Sequence, residues 1–441
     1  MTNLVNSNAS GIDVSSKEHV VAVPEDRDEQ SVRTFKSFTK DLHQLASWLK
    51  KCNIQIIAME STGVYWYHLY TVLIEYGFEV LLVNAYHIKN VPGRKSDVND
   101  AQWIQQLLSF GLLNGCFQPD NQTRELREYV RLRKQIIRSI SRETQHIQKA
   151  LELMNIKLNN VIRDINGKTG RAIVEKIISG ERNAEELAKL KDRRIKASFQ
   201  TVKDSLEGNW REEQLFNLEI AYEKLKFLEK QVEKVDLKSE HIIKKMEGAE
   251  VEKKTIKKNR KKKNQPKFNV EQHLYNSLGV DVTEIYGLKS TTALIIYSET
   301  GSDLKKKFPT EKQFLSWVNV VPNNKISGGK ILSSKVKKKK NRAGEAFRTA
   351  ANTLWKAKNP LGEYLRRKKA KRDSNQAIVA TARKLASIYY QMVTKKMEFD
   401  PDRLKQNTKN ELERKAFYLE KQLEKINTLI QDNQTVKESV I

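Results

Sequence analysis

Only two cysteines, Cys52 and Cys116, occur in 441 residues, and neither stands in a metal-ligand spacing. Neither a disulfide scaffold nor a zinc centre is expected from so little sulfur. Histidine is also scarce, with seven in all. No apolar run approaches the roughly 18 residues that a membrane span requires. No signal peptide is read ahead of the first strand, so the expected location is cytoplasmic, with no membrane partner. Acids are in deficit, 54 Asp and Glu against 81 Lys and Arg, a formal charge of +27. That imbalance calls for a polyanionic partner, nucleic acid before an anionic lipid surface. The length suits two or three domains.

What is present is concentrated first in residues 8–118. Gly11–Val14, His19–Val23 and Ser31–Phe38 are short β-rich runs joined by polar turns. A helix with Leu42, Leu45, Trp48 and Leu49 on one stripe follows. Then come a buried-type strand, Ile54–Ala58, a helix from about Gly63, and a strand over Glu79–Val83. A last helix is expected behind Ser96 as N-cap, with Asp97 and Asp100 three apart on its first turn. Three strands able to form a meander, followed by alternating units that need a parallel sheet, is the order of the ribonuclease-H fold.

In that order Asp13 lies inside the first strand, a poor place for a charge unless something binds it. Glu60 lies at the carboxyl end of a later strand, where open α/β sheets carry their sites. Each acid alone has a bland explanation. Asp97 and Asp100 can complement a helix dipole, Asp13 can form a turn with Ser15 and Ser16, and Glu60 can cap the helix near Gly63. Together the four would repel one another unless divalent cations neutralised them. Two Mg²⁺ (or Mn²⁺) about 4 Å apart on oxygen ligands suit in-line attack on a phosphodiester.

The pattern then changes. Residues 119–245 carry two long heptad stripes, Leu126 to Met154 and Leu215 to Val235, read as a coiled-coil arm. An antiparallel hairpin, a dimerising arm and an ordinary intramolecular bundle all fit. Residues 246–275 form a basic linker with almost no apolar content over 252–267, including Lys261, Lys262 and Lys263. Residues 276–396 are a second globular, mostly helical region, and 397–441 a helical tail. Within the second region Ser327-Gly328-Gly329-Lys330 precedes a loop dense in basic residues, Lys335 to Arg342. Ser-Gly-Gly is a common turn. Arg94, Lys95, Lys330, Lys335, Lys337, Lys338 and Arg342, with the three linker lysines, are the expected nucleic-acid contacts.

Gly11-Ile-Asp13-Val-Ser-Ser, Met59-Glu60-Ser-Thr-Gly63 and Lys95-Ser-Asp97-Val-Asn-Asp100-Ala resemble the RuvC-like domain of the IS110 family of insertion-sequence (DEDD) transposases. Pro322 to Lys330, Asn341 to Ala351 and Ala377 to Leu385 resemble its carboxyl-terminal transposase domain. The resemblance covers about half the chain, in the family's order. Two positions depart from it: Lys289 and Asn319 stand where the family commonly has glycine. The resemblance implies a DNA recombinase guided by a structured RNA, acting on donor and target DNA as a tetramer built from homodimers. It also implies Mg²⁺ (or Mn²⁺) on Asp13, Glu60, Asp97 and Asp100, with Ser327 as a nucleophile.

Two other readings fit parts of the pattern. A RuvC-like, metal-dependent nuclease or junction resolvase needs the acids and the basic charge but not the serine. A non-catalytic basic scaffold needs only the charge, yet clustered carboxylates on its binding face would repel the ligand. An actin-like ATPase also opens on Gly-Ile-Asp, but the chain has no second glycine-rich phosphate loop.

Overall fold

The computed structural model describes residues 4–84, 88, 99–248, 255–256, 264–339, 341–371 and 373–438. The chain divides into two compact units, Met1–Gln118 and Pro119–Ile441.

The first unit is built on a five-stranded sheet: β1 (Ala9–Val14), β2 (Glu18–Ala22), β3 (Val32–Lys36), β4 (Ile56–Glu60) and β5 (Glu79–Val83). The spatial order is β3-β2-β1-β4-β5, and β2 alone runs against its neighbours. That is the ribonuclease-H arrangement. Ser15 closes the β1–β2 turn, its hydroxyl donating to Glu18 O (2.7 Å) and accepting from Glu18 N (3.3 Å).

Both faces of the sheet are covered, so the central strands read as continuous apolar runs. Residues two apart share a face. Ile12, Val14, Ile57 and Met59 pack against α1 (Thr39–Lys51) and α2 (Trp66–Glu75) through Leu42, Leu45, Leu49, Leu69 and Leu73. Ala9, Ala58 and Val83 turn the other way, onto Trp103, Ile104, Leu107 and Leu108 of α3 (Asp100–Ser109). Asn99 caps α3, its side chain accepting from Ala101 N at 2.9 Å. The expected cap, Ser96, is therefore displaced by Asn99, and Asp100 opens the helix. Asp97 lies outside the described residues, as do Arg94 and Lys95.

In the second unit α4 (Asn121–Leu153) and α5 (Glu212–Lys245) pair with each other along most of their length. Arg133 meets Asp236 near one end, and Ile147, Leu151 and Met154 meet Leu218, Tyr222 and Leu225 near the other, so the pair is antiparallel. The apolar stripes predicted from sequence face inward within one chain. Short helices Leu158–Val161, Lys168–Ile178, Ala184–Ala188 and Phe199–Asp204 fill the far end of this hairpin.

The rest of the second unit surrounds α6 (Ser290–Thr300), which packs on α4 and on α8 (Arg342–Thr353). Its aromatic core joins Phe314 of α7 (Glu311–Trp317) to Phe347 and to Tyr389 of α10 (Ser374–Lys395), centroids 6.3 Å from each. Thr310 and Gln313 form a reciprocal capping box at the start of α7. A two-stranded ribbon, β6 (Lys325–Ser327) and β7 (Lys330–Ser333), stands between α7 and α8, and α9 (Pro360–Lys371) precedes α10. The tail is one long helix, α11 (Pro401–Glu438).

Candidate active site and nucleic-acid interface

The register of the parallel pair β1–β4 positions two of the acids. Ile12 pairs with Met59, so Asp13 and Glu60 each lie one step beyond that pair on adjacent strands. Neighbouring strands run about 4.8 Å apart. Both acids fall on the α3 face, because Gly11 shares a face with Asp13 and Ala58 with Glu60. Both are half-buried. The Glu60 carboxylate accepts from the Thr62 hydroxyl at 2.5 Å.

Gly11 brings α3 to the same place. A Cβ there would lie 2.2 Å from Ala101 O and 2.3 Å from Gln105 N. No side chain fits, so the first turn of α3 rests directly on β1, two residues from Asp13. Asp100, exposed, is the first residue of that turn. Three of the four sequence-predicted carboxylates thus reach one edge of the sheet from three separate segments.

They do not close on one point. No group of three His, Cys, Asp or Glu side chains among the described residues is positioned to hold a metal ion. The donor set is nevertheless made of hard carboxylate oxygens, the chemistry that suits Mg²⁺ or Mn²⁺ and not a softer ion.

Ser327 sits elsewhere in the sequence, in the second unit. It ends β6 opposite Lys330, and Gly328 and Gly329 make the turn with φ of +53° and +74°. Positive φ at both central residues is the type I′ geometry that hairpins favour, which accounts for the glycine pair. A Cβ at either glycine would meet nothing within 4 Å, so close approach by the protein is not what requires them. Ser327 is exposed, and its hydroxyl has no hydrogen-bond partner among the described residues. Ile326, Ile331 and Leu332 on the same ribbon are 62%, 61% and 70% exposed.

Two family models match this chain where these features lie. Residues 10–156 match a DEDD transposase model of the IS110 group, and residues 281–366 match the transposase model of the IS116/IS110/IS902 family. The chain belongs to the IS110 family of transposases. No curated protein is a significant match. The first match spans β1 to the end of α4 and takes in all four acids; the second takes in the serine ribbon and α8. An IS110 transposase cuts and rejoins DNA for an insertion sequence, and its acidic domain carries a general dependence on divalent metal.

Both departures from the family's glycines are accommodated in this transposase. Lys289 has an extended backbone, φ −111° and ψ 166°, as the residue before α6, so no glycine is needed. Gly287, two positions earlier, has φ +86° and a Cβ position 2.8 Å from Ala350 O, where glycine is required. Asn319 adopts φ +58°, the left-handed region that asparagine tolerates best after glycine. Its buried amide donates to Lys337 O (2.9 Å) and Lys339 O (3.1 Å), tying down the loop that follows the ribbon.

Of the sequence-predicted cations, Lys330, Lys335, Lys337, Lys338 and Arg342 are described, and all five are exposed. Lys261, Lys262 and Lys263 lie outside the described residues. Sequence reading missed the arginines of α4. Arg131 and Arg127 converge on buried Glu299 of α6, with Arg131 bidentate at 3.0 and 2.9 Å. Arg127 Nε approaches the same carboxylate at 3.2 Å without hydrogen-bond alignment. Burial depresses the Arg127 guanidinium to a pKa of about 10, against the opposing pull of Glu299. A partner that lies 168 residues away leaves no local signal.

Proposed function

We propose that this transposase is an RNA-guided recombinase that cuts and rejoins DNA with the acid cluster Asp13, Glu60, Asp97 and Asp100 and with Ser327 as nucleophile. The observation that supports the cluster is the register step that sets Asp13 beside Glu60 on the face where Gly11 seats α3 and Asp100. Mg²⁺ or Mn²⁺ bound to these carboxylates would supply charge stabilisation at phosphorus and lower the barrier to deprotonating an attacking oxygen. The carboxylates hold that charge at one sheet edge and orient the scissile phosphate.

In this reading the Ser327 oxygen forms a bond to phosphorus as the bond from phosphorus to one neighbouring sugar oxygen breaks. The serine proton passes to solvent or a base, and the departing sugar oxygen takes up one in turn. The phosphoserine ester conserves the energy of the bond for rejoining, when a sugar hydroxyl attacks and Ser327 leaves. Lys330, paired with Ser327 across the turn, can stabilise the developing negative charge. The lysines of 252–267 and 335–342 would hold the guide RNA and its duplexes, and the active assembly would be a tetramer of two homodimers.

Asp13→Ala or Glu60→Ala should abolish strand cleavage and leave the fold intact, while Ser327→Ala should bind DNA but form no covalent protein–DNA adduct. Cleavage at the full rate in excess chelator would overturn the metal reading. A second reading, a RuvC-like nuclease without a covalent intermediate, is favoured by the absence of any hydrogen-bond partner for the Ser327 hydroxyl among the described residues. A Ser327→Ala protein that still cuts and traps no covalent protein–DNA species would support it, whereas a covalent species retained there would move the nucleophile to Ser333 or Ser334.

A further inference from the structure

A cleft of about 490 Å³ opens between α4, α6 and the start of α8. Six cations line it: Arg131, Lys134, Arg138, Lys339, Arg342 and Arg348. Against them stand two carboxylates, Glu299 and Glu345. Glu299 is shared by Arg131 and Arg127, and Glu345 meets Lys134 at 3.5 Å. Arg348 donates to Asn319 O at 3.1 Å, a carbonyl that leaves its charge uncancelled. Arg138 and Arg342 are exposed and have no carboxylate partner among the described residues. The balance is a net charge of about +4 in a concave site with low-dielectric walls, which focuses the field on an anion.

Backbone donors add to it. Residues 341–345 are the first turn of α8, where amide groups and the helix dipole favour negative charge. The Asn341 side chain accepts from Gly344 N and its carbonyl from Glu345 N, which leaves the amides of Arg342 and Ala343 without an intrahelical partner. Lys339, which lines the cleft, follows two further exposed lysines in the chain, Lys337 and Lys338.

We propose that this cleft grips the sugar–phosphate backbone of a nucleic acid, Arg138 and Arg342 each contacting a phosphate, with Glu299 holding Arg131 and Glu345 holding Lys134 in place. The inference rests on nucleic acid being the protein's partner, but not on the acid cluster or on Ser327. It gives the long helix α4 a binding role in addition to pairing with α5.

The test compares the full chain with Arg138→Gln/Arg342→Gln in anisotropy titrations over a salt series. The probes are a duplex DNA, one of its strands and an RNA of the same sequence. Losing two phosphate contacts should reduce the log–log salt slope by about 1.8 on duplex DNA and by about 1.4 on a single strand, which tells the two apart. Lys224→Gln/Lys230→Gln, two exposed lysines of α5, controls for net charge alone. On the wild-type chain, acylation of Lys339 should be slowed by the same nucleic acid, a readout that needs no variant. An unchanged slope with an unchanged melting temperature overturns the inference, as does a loss no larger than the control's. If the wild-type chain binds none of the three probes, both this inference and the proposed function fall. If it binds them and cuts DNA but the slope does not move, only the cleft assignment is lost.

Discussion

Gly11→Ala tests whether the seating of α3 on β1 holds the acids together. The added Cβ would lie 2.2 Å from Ala101 O, 2.3 Å from Gln105 N and 2.9 Å from Gln105 Cα. Ordinary contact begins near 3.4 Å, so the helix would have to retreat by about 1.2 Å. All three atoms are backbone, and none can rotate away. A retreat of that size forfeits on the order of a quarter to a half of the dispersion energy across the interface. That interface buries Ala101, Trp103, Ile104, Leu107 and Leu108. Overpacking ordinarily costs about 1–3 kcal/mol, and a rigid obstacle puts this case at about 3 kcal/mol. Amide hydrogen exchange read on peptides covering 9–14 and 100–109 should accelerate on the order of a hundredfold, at roughly 1.4 kcal/mol per factor of ten. Gly77→Ala is the control. It has φ +77° but open space around a Cβ, so it should cost only the left-handed strain of about 1 kcal/mol. Equal acceleration in the two proteins would refute the packing argument, and DNA cleavage should fall in Gly11→Ala alone.

The remaining expectations concern charge. Arg133 and Asp236, with side chains 6% and 3% exposed, form a pair at 2.6 Å that also receives Lys267 N at 3.1 Å. Arg133→Met strands a buried carboxylate and should cost about 3–5 kcal/mol in denaturant unfolding, whereas Arg133→Met/Asp236→Leu should recover most of it; a double variant as unstable as the single would contradict this. His19 is buried in β2 with Nδ1 unpaired among the described residues, and burial holds its pKa below the ordinary 6.5. The folded chain therefore binds fewer protons than the unfolded chain there. Stability should decline as pH falls below about 6.5, and His19→Leu should flatten that decline in pH-dependent unfolding midpoints.

The first unit was largely legible in the sequence because its signals are local. Alternation in β1 and β4 separates Ile12 and Met59 from Gly11 and Ala58, and that same alternation assigns Asp13 and Glu60 to one face. The start of α3 was misplaced because Ser96 and Asn99 are both good caps, and only packing chooses between them. The stripes on α4 and α5 showed which faces are apolar but not what covers them. Arg133 and Asp236 are 103 positions apart, and neither residue type predicts burial. The cleft as a unit escaped notice for the same reason, although Arg342 was an expected contact, since its arginines come from α4 and α8, which no spacing relates. Asn319 in place of glycine became intelligible only with its φ and the two carbonyls its amide reaches.

Ser327 rides on a ribbon of two short strands whose apolar side chains, Ile326, Ile331 and Leu332, face solvent. Two strands alone are marginally stable, and a further strand or a packing surface would complete such a ribbon. Under the proposed serine mechanism, that incompleteness would act as a safeguard for an enzyme that cuts and rejoins DNA. A lone chain carries the Ser327 hydroxyl exposed and without a hydrogen-bond partner among the described residues, so the proposed nucleophile would lack activation there. Competence to cut would then be conferred by assembly at the right place, and the fidelity of the reaction would be set by what closes over the ribbon rather than by the serine.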